Sequence, residues 1–84
     1  MNAIMPGFGT PASMIQVWGI EVTRERARLV KKWRCDDDLT WRGVAASASD
    51  AWGGDNGSNQ LFGMELCEAS ALLLGENPAA EPWN

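Results

Sequence analysis

The side chains that could carry out chemistry are few, and they lack the usual partner for proton transfer. The 84-residue sequence contains no histidine and no tyrosine, so the commonest general base is absent and a Ser–His or Cys–His nucleophile is impossible. Lys31 and Lys32 lie among other cations, where a solvated surface is expected instead of the buried setting that makes a lysine reactive. The stretch GGDNG has no lysine and does not match a phosphate-binding loop. We therefore expect no enzymatic activity and no cofactor.

The carboxylates do not form a recognisable metal site. An EF-hand calcium loop starting at Asp55 would need glycine at its sixth position and glutamate at its twelfth, and the sequence has Gln60 and Leu66 there. The aspartate run from Asp36 to Asp38 is instead expected to end a helix, because aspartate favours caps and turns over helix interiors. We expect no bound metal.

The cysteines and the apolar runs bear on the cellular compartment. Cys35 and Cys67 show neither the CxxC spacing nor the histidine of a zinc site, and two cysteines are too few for a secreted disulfide scaffold. We expect reduced, mostly buried thiols. The sequence has no apolar run of membrane-spanning length, and its first residues do not resemble a signal peptide. These observations predict a cytoplasmic protein that does not enter a membrane.

Positive charge is confined to one short part of the chain. The net charge is -4, but all seven basic residues lie between Arg24 and Arg42. The segment 23–34 holds six of them against a single carboxylate, whereas from residue 35 onward Arg42 is the only cation among nine carboxylates. This pattern indicates a basic element attached to an acidic body, and such a distribution can orient an encounter with a charged partner.

Three helices are expected to position these side chains. Each begins at a capping residue and ends at a turn signal, and the first two run from Thr23 to about Arg34 and from Thr40 to about Trp52. The third runs from about Asn59 to Leu74, with Asn56 or Ser58 as its expected cap, and stops at Gly75.

The segment before the first helix is predicted to be extended. Met14 to Val22 is rich in β-branched and aromatic residues. We expect a single strand without a partner in its own chain, which either packs on the helices as an arm or pairs with another copy. The predicted fold is therefore all-α: an N-terminal arm (1–22), a small three-helix bundle (23–75) and a short C-terminal tail (76–84).

The third helix has a wider apolar surface than a three-helix bundle can cover. Apolar and small residues take up more than half of its circumference, and even the face bearing its glutamates also carries leucines. Self-association is therefore expected. Trp83, in the tail, is either an anchor folded onto the body or a hook for a partner. We expect a non-enzymatic interaction protein, dimeric, that docks on another protein through an interface formed by Leu61, Glu65, Glu68, Leu72 and Trp83.

A basic helix, an amphipathic helix of the form TWRGVA, a turn and a third helix follow one another in the sequence. This order resembles the three-helix core of helix-turn-helix proteins over about residues 23–74. The resemblance implies an alternative function, a DNA-binding regulator whose last helix enters the major groove. Bases would be contacted by Ser58, Asn59 and Gln60, and phosphates by Arg24, Arg28, Lys31, Lys32 and Arg42. Because one chain has only seven cations, tight DNA binding would need a dimer.

Overall fold

The computed structural model describes residues 13–84, so most of the predicted arm, residues 1–12, lies outside the described residues. Two strands precede three helices: β1 (Met14–Val17), β2 (Ile20–Thr23), α1 (Arg24–Lys31), α2 (Trp41–Trp52) and α3 (Gln60–Leu73). A π-helical segment, Lys32–Asp36, continues directly from the end of α1. None of these helices is long and apolar enough to cross a membrane.

The prediction of an all-α fold is wrong, because the extended segment forms a two-stranded antiparallel sheet. In its register Met14 lies opposite Thr23 and Val17 lies opposite Ile20. The predicted single strand is therefore two short strands, and β1 has its ladder partner within its own chain. One face of this hairpin is apolar: Val17, Ile20 and Val22 are buried in the core, as the alternation of side chains along a strand requires.

The turn of this hairpin explains why the sequence did not reveal it. Trp18 and Gly19 have φ values of 50° and 84°, and positive φ at both central residues is the property of a type I′ turn, which usually contains Asn-Gly or Asp-Gly. Contacts from distant parts of the chain hold Trp18 in this unusual conformation. Its ring centroid lies 5.6 Å from that of Phe62, and Asn56 Nδ2 donates to its carbonyl oxygen at 3.3 Å.

The predicted caps of the first two helices are confirmed. The Thr23 hydroxyl accepts a hydrogen bond from the Arg26 backbone N–H at 3.2 Å, and the Thr40 hydroxyl accepts one from Gly43 N–H at 3.1 Å. The cap of α3 is Asn59 and neither Asn56 nor Ser58, so that prediction is wrong: the Asn59 side chain accepts from two backbone N–H groups of the first turn. These caps satisfy N–H groups that no helical carbonyl can reach.

The first helix does not end at about Arg34 as predicted. Its α-helical part stops at Lys31, and a wider turn follows in which Asp37 N–H donates to Lys32 O at 3.0 Å. Tertiary contacts accompany this turn, which points two side chains at α2. The Trp33 ring lies 5.3 Å from that of Trp52, and the Arg34 guanidinium lies 5.3 Å from the centroid of Trp41. Arg34 also donates to Leu39 O, just before α2, at 2.7 Å.

The core is built around α3. Phe62, Leu66 and Leu73 on its inner face are among the largest fully buried side chains. α2 packs so closely that a Cβ added at Gly63 would lie 1.9 Å from the Trp41 carbonyl oxygen. The tail folds back, and Trp83 is 2% exposed within the core cluster. Of the two roles considered for Trp83, its burial supports the anchor.

Candidate functional site

The outer face of α3 carries apolar side chains that the described chain leaves in solvent. Leu61, Met64, Glu68 and Leu72 follow one another at helical spacing, and we refer to these four residues as the α3 ridge. Leu61 is 52% exposed, Met64 37% and Leu72 49%. Three of the six large hydrophobic side chains exposed in residues 13–84 therefore lie on this one stripe, and such clustering is typical of a binding surface.

A groove runs between the ridge, the start of α2 and the folded tail, and we refer to it as the tail groove. Its volume is about 420 Å³. The lining is mainly apolar, with carboxylates on the helix side: Trp41, Leu61, Met64, Glu65, Glu68, Pro78, Ala79, Trp83 and Asn84.

Hydrogen bonds fix the tryptophans of the tail groove. Trp41 Nε1 donates to Trp83 O at 3.4 Å, and Trp83 Nε1 donates to Glu76 Oε1 at 2.9 Å. The other carboxylate oxygen of Glu76 accepts from Lys31 Nζ. The hydrogen bonds from Lys31 and then from Trp83 hold the pKa of Glu76 below its ordinary value, and the hydrogen bond to Glu76 raises the pKa of Lys31. The apolar wall is thus tied to α1 before any ligand arrives.

A second, smaller groove lies on the other side of the ridge, where β1 meets α3, and we refer to it as the β1 groove. Its volume is about 160 Å³, and Ile15, Val17, Ala69 and Leu72 provide its apolar surface. Glu65 and Glu68 line both grooves. Glu65 Oε1 accepts from Trp18 Nε1 at 3.0 Å, which joins the hairpin turn to the ridge.

Charge on this face is of one sign. The described lining of the tail groove and of the β1 groove includes two glutamates and no lysine or arginine. A ligand for the tail groove therefore needs apolar groups for Leu61 and Met64 and gains from positive charge beside Glu65 and Glu68.

Sequence reasoning placed Leu61, Glu65, Glu68, Leu72 and Trp83 in one interface, and the structure brings all five to the two grooves. Trp83 contributes to a buried wall and not a projecting hook. Met64 was missed, although it lies three residues after Leu61 on the same helical stripe. Trp41 and Pro78 line the tail groove only because the tail folds back, and no local sequence pattern predicts this.

Four of the five basic residues proposed for phosphate contact line two grooves that share Arg28, and Arg42 lines neither. Lys31 is paired with Glu76, and Lys32 Nζ lies 3.2 Å from an oxygen of Asp37. Arg28 and Arg42 are exposed, and Arg24 is half-buried at the start of α1.

Two further arginines pack on aromatic rings. The Arg26 guanidinium lies 4.9 Å from the centroid of Trp52, and that of Arg34 lies 5.3 Å from the centroid of Trp41. Both are cation–π contacts, which the sequence alone did not indicate.

The residues proposed for base contact are exposed at the start of α3, as Ser58, Asn59 and Gln60. Asn59 uses its Oδ1 to accept from Leu61 N–H and Phe62 N–H at 2.9 and 3.3 Å. The two grooves that the α1 cations line contain neither this residue nor its neighbours. Within residues 13–84, neither of these grooves therefore contains both the residues proposed for base contact and those proposed for phosphate contact.

The cysteines differ from each other in the structure. Both are free; Cys67 is buried, as expected, whereas Cys35 is exposed, so the expectation of burial is wrong for Cys35. Burial raises the pKa of the Cys67 thiol to about 11, which keeps it protonated at neutral pH. Within residues 13–84, no three histidine, cysteine or acidic side chains come close enough together to hold a metal ion.

The arrangement can therefore bind a ligand through apolar contacts and through charge: it consists of an apolar ridge, two flanking grooves and two carboxylates. Comparison of the chain with protein-family models, with curated proteins and with solved structures finds no match.

Proposed function

We propose that this protein is a small, non-enzymatic interaction protein of the cytoplasm that self-associates and binds a protein partner in the tail groove. One observation carries the docking part: Leu61 and Met64 stand exposed beside a wall of tryptophans that are already hydrogen-bonded in place. Removing a pre-formed apolar surface of this kind from water favours binding, and the entropy cost is small because the tryptophan side chains are already ordered.

The partner is defined by the chemistry of the groove. Glu65 and Glu68 lie along one side of it, so the best ligand is an amphipathic segment with apolar side chains at helical spacing and lysine or arginine beside them. Another copy of α3 is a poor ligand, because its own glutamates would meet Glu65 and Glu68.

A pair of synthetic peptides tests this proposal. The first is a helix-forming peptide with leucines on one face and lysines flanking them, and the second has every lysine replaced by glutamate. Titration into isotope-labelled protein, followed by amide chemical shifts, should show binding of the basic peptide with shifts concentrated in 61–72 and 77–84. The acidic peptide should bind more weakly by about tenfold or more, since like charges would face each other.

Matched serine variants locate the binding site. Leu61→Ser should weaken binding of the basic peptide by about tenfold, the effect of losing a buried apolar contact. Leu29→Ser replaces a leucine of α1 that is also exposed, at 36%, and should leave binding unchanged. Equal binding of both peptides, or shifts confined to α1, would rule the proposed groove out.

DNA binding is the competing function, and the positions of the cations give it less support. Non-specific affinity for DNA comes from lysines and arginines that meet phosphates, and Lys31 and Lys32 are each paired with a carboxylate. Titration of labelled mixed-sequence duplex at low and rising salt provides the test. Binding that falls steeply with salt, and is lost when Arg24, Arg28 and Lys32 are together changed to alanine, would establish DNA binding instead.

A further inference from the structure

The two outer edges of the hairpin differ in how well they are protected from pairing with another strand. On the β2 side, Arg26 Nη1 donates to Glu21 O at 3.0 Å, and Glu21 adds a charge to that edge. The β1 side has neither protection: MIQV contains no charged residue and no proline, and no hydrogen bond from residues 13–84 reaches the outer backbone groups of Met14 or Gln16. Charges and covering side chains are the usual means of keeping a strand edge from pairing.

The register shows which backbone groups point outward along β1. The residues that flank a two-residue turn exchange both hydrogen bonds, and bonded and non-bonded pairs alternate from there. Val17 with Ile20 and Ile15 with Val22 are therefore the bonded pairs within the hairpin. The N–H and C=O groups of Met14 and Gln16 point away from β2. The position of Glu21 O, which accepts from Arg26, agrees with this alternation.

We propose that the outer edge of β1 pairs antiparallel with β1 of a second copy, so that two hairpins form one four-stranded sheet. This inference specifies the surface for the self-association part of the proposed function and is independent of partner docking in the tail groove. The occupant is a second copy because an antiparallel two-fold arrangement matches each outward N–H of the edge with an outward C=O of the same edge. The uncharged strand also meets no like charge on itself.

Strand length and turn geometry fix the register of this pairing. Trp18 belongs to the turn and has positive φ, so the ladder ends before it. With Met14 opposite Gln16 of the second copy, the two residues exchange hydrogen bonds, and the pair is repeated by symmetry. Ile15 then lies opposite Ile15 of the second copy, where cross-strand apolar side chains approach closely.

The β1 groove supplies the apolar part of the same contact. Ile15 and Leu72 both line it, and Leu72 is 49% exposed. Side chains of an added strand alternate between the two faces of the sheet, so Ile15 of the second copy points toward this groove and covers Leu72. The ladder is short, so the dimer should be weak and concentration-dependent, like other small interfaces.

Sedimentation velocity over a wide concentration range, paired with amide hydrogen exchange on the full chain, tests the proposal. We expect a reversible monomer–dimer equilibrium in which the amides of Met14 and Gln16 become protected as the dimer forms. A strict monomer at high concentration would overturn the proposal. So would a dimer in which these amides exchange freely, or protection that does not depend on concentration, which would mean that the edge is covered within one chain.

Variants separate the edge from the rest of the fold. Gln16→Pro removes an N–H that points outward and takes no part in the β1–β2 ladder, and proline is tolerated at edge positions. It should raise the dimer dissociation constant by about tenfold, the effect of losing symmetry-related hydrogen bonds. Gln16→Thr keeps the N–H and should leave dimerisation unchanged. Equal dimerisation of the two variants contradicts the proposal.

Leu72→Glu provides a second test that does not touch the hairpin. Because Leu72 is half exposed, the variant should fold, and its added charge in the β1 groove should weaken the dimer by about tenfold or more. Binding of the basic peptide to the tail groove should persist in Gln16→Pro, whereas Leu61→Ser should bind the peptide about tenfold more weakly and still dimerise. Failure of the edge proposal and failure of the docking proposal are thus observed in different experiments.

Discussion

The outward surfaces of α1 and α3 differ in how much of their chemistry the chain itself uses. α1 and its π-helical extension bring most of the positive charge, yet Arg26 and Arg34 lie over tryptophan rings, and Lys31 and Lys32 pair with carboxylates. The α3 ridge has three large apolar side chains that the rest of residues 13–84 leaves exposed to solvent. Most of the basic side chains that dominate the charge pattern of this sequence therefore make contacts within the chain. The apolar stripe on α3, which is less conspicuous in the sequence, is the surface available to a partner.

The two faces of α3 provide the largest expected contrast. Leu66→Ala removes a fully buried side chain and should lower the free energy of unfolding by about 2–5 kcal/mol, through lost burial and the cavity left behind. Leu61→Ala makes the same chemical change on the ridge and should alter it by about 0.5 kcal/mol or less. Urea denaturation followed by tryptophan fluorescence measures both. Similar losses for the two variants would mean that the ridge is covered within the chain.

Two arginines of α1 should differ by an intermediate amount in how much they contribute to the free energy of unfolding. Arg26→Ala loses the contact with Trp52 and the hydrogen bond to Glu21 O, and should cost about 1–2 kcal/mol of unfolding free energy. Arg28→Ala, at an exposed position of the same helix, should cost about 0.5 kcal/mol or less. Chemical denaturation of the pair at neutral pH gives the comparison. If Arg28→Ala were the more destabilising change, the view that α1 arginines serve the fold through tryptophan contacts would be wrong.

The smallest effect concerns the half-exposed pair that ties the tail to α1. The pKa of Glu76 is lowered in the folded protein by hydrogen bonds from Lys31 and Trp83. Its stabilising contribution is therefore present above the ordinary glutamate pKa of 4.5 and is lost as the pH falls through the lower, folded value. The pKa of Lys31 is raised, so the contribution of Lys31 is lost only as alkaline pH passes through its folded value, above 10.5.

Glu76→Gln isolates this contribution. At neutral pH the variant should be slightly less stable than the original protein, and the difference should vanish in acid, where both side chains are uncharged. Unfolding curves recorded from neutral to acidic pH check this. A difference that stays constant with pH would show that the charge of Glu76 does not contribute.

Local signals in the sequence were sufficient to predict where α1 and α2 begin, but not the π-helical end of the first helix or the hairpin. Thr23 and Thr40 act as caps through their own following turns, so their roles could be predicted from neighbouring residues. Trp18 could not be identified as a turn residue, because what holds it there is Phe62, Glu65 and Asn56, all far along the chain.

The candidate site shows the same division between local and long-range information. The spacing of Leu61, Glu65, Glu68 and Leu72 predicts their shared face from the helical period alone. The walls of the two grooves come from β1 and from the folded tail, whose placement depends on tertiary contacts. The pairing of individual lysines and arginines, which weakens the DNA-binding interpretation, likewise depends on those contacts and not on the order of charges.

The π-helical segment Lys32–Asp36 also determines rotational phase. A wider turn advances each residue through a smaller angle about the axis than an α-helical turn does, so the residues after Lys31 lag behind the phase that α1 would have given them. That lag accompanies the arrangement in which Trp33 meets Trp52 and Arg34 meets Trp41. Removing one residue here would not merely shorten a connection, because it would swing two aromatic contacts away from α2 at once.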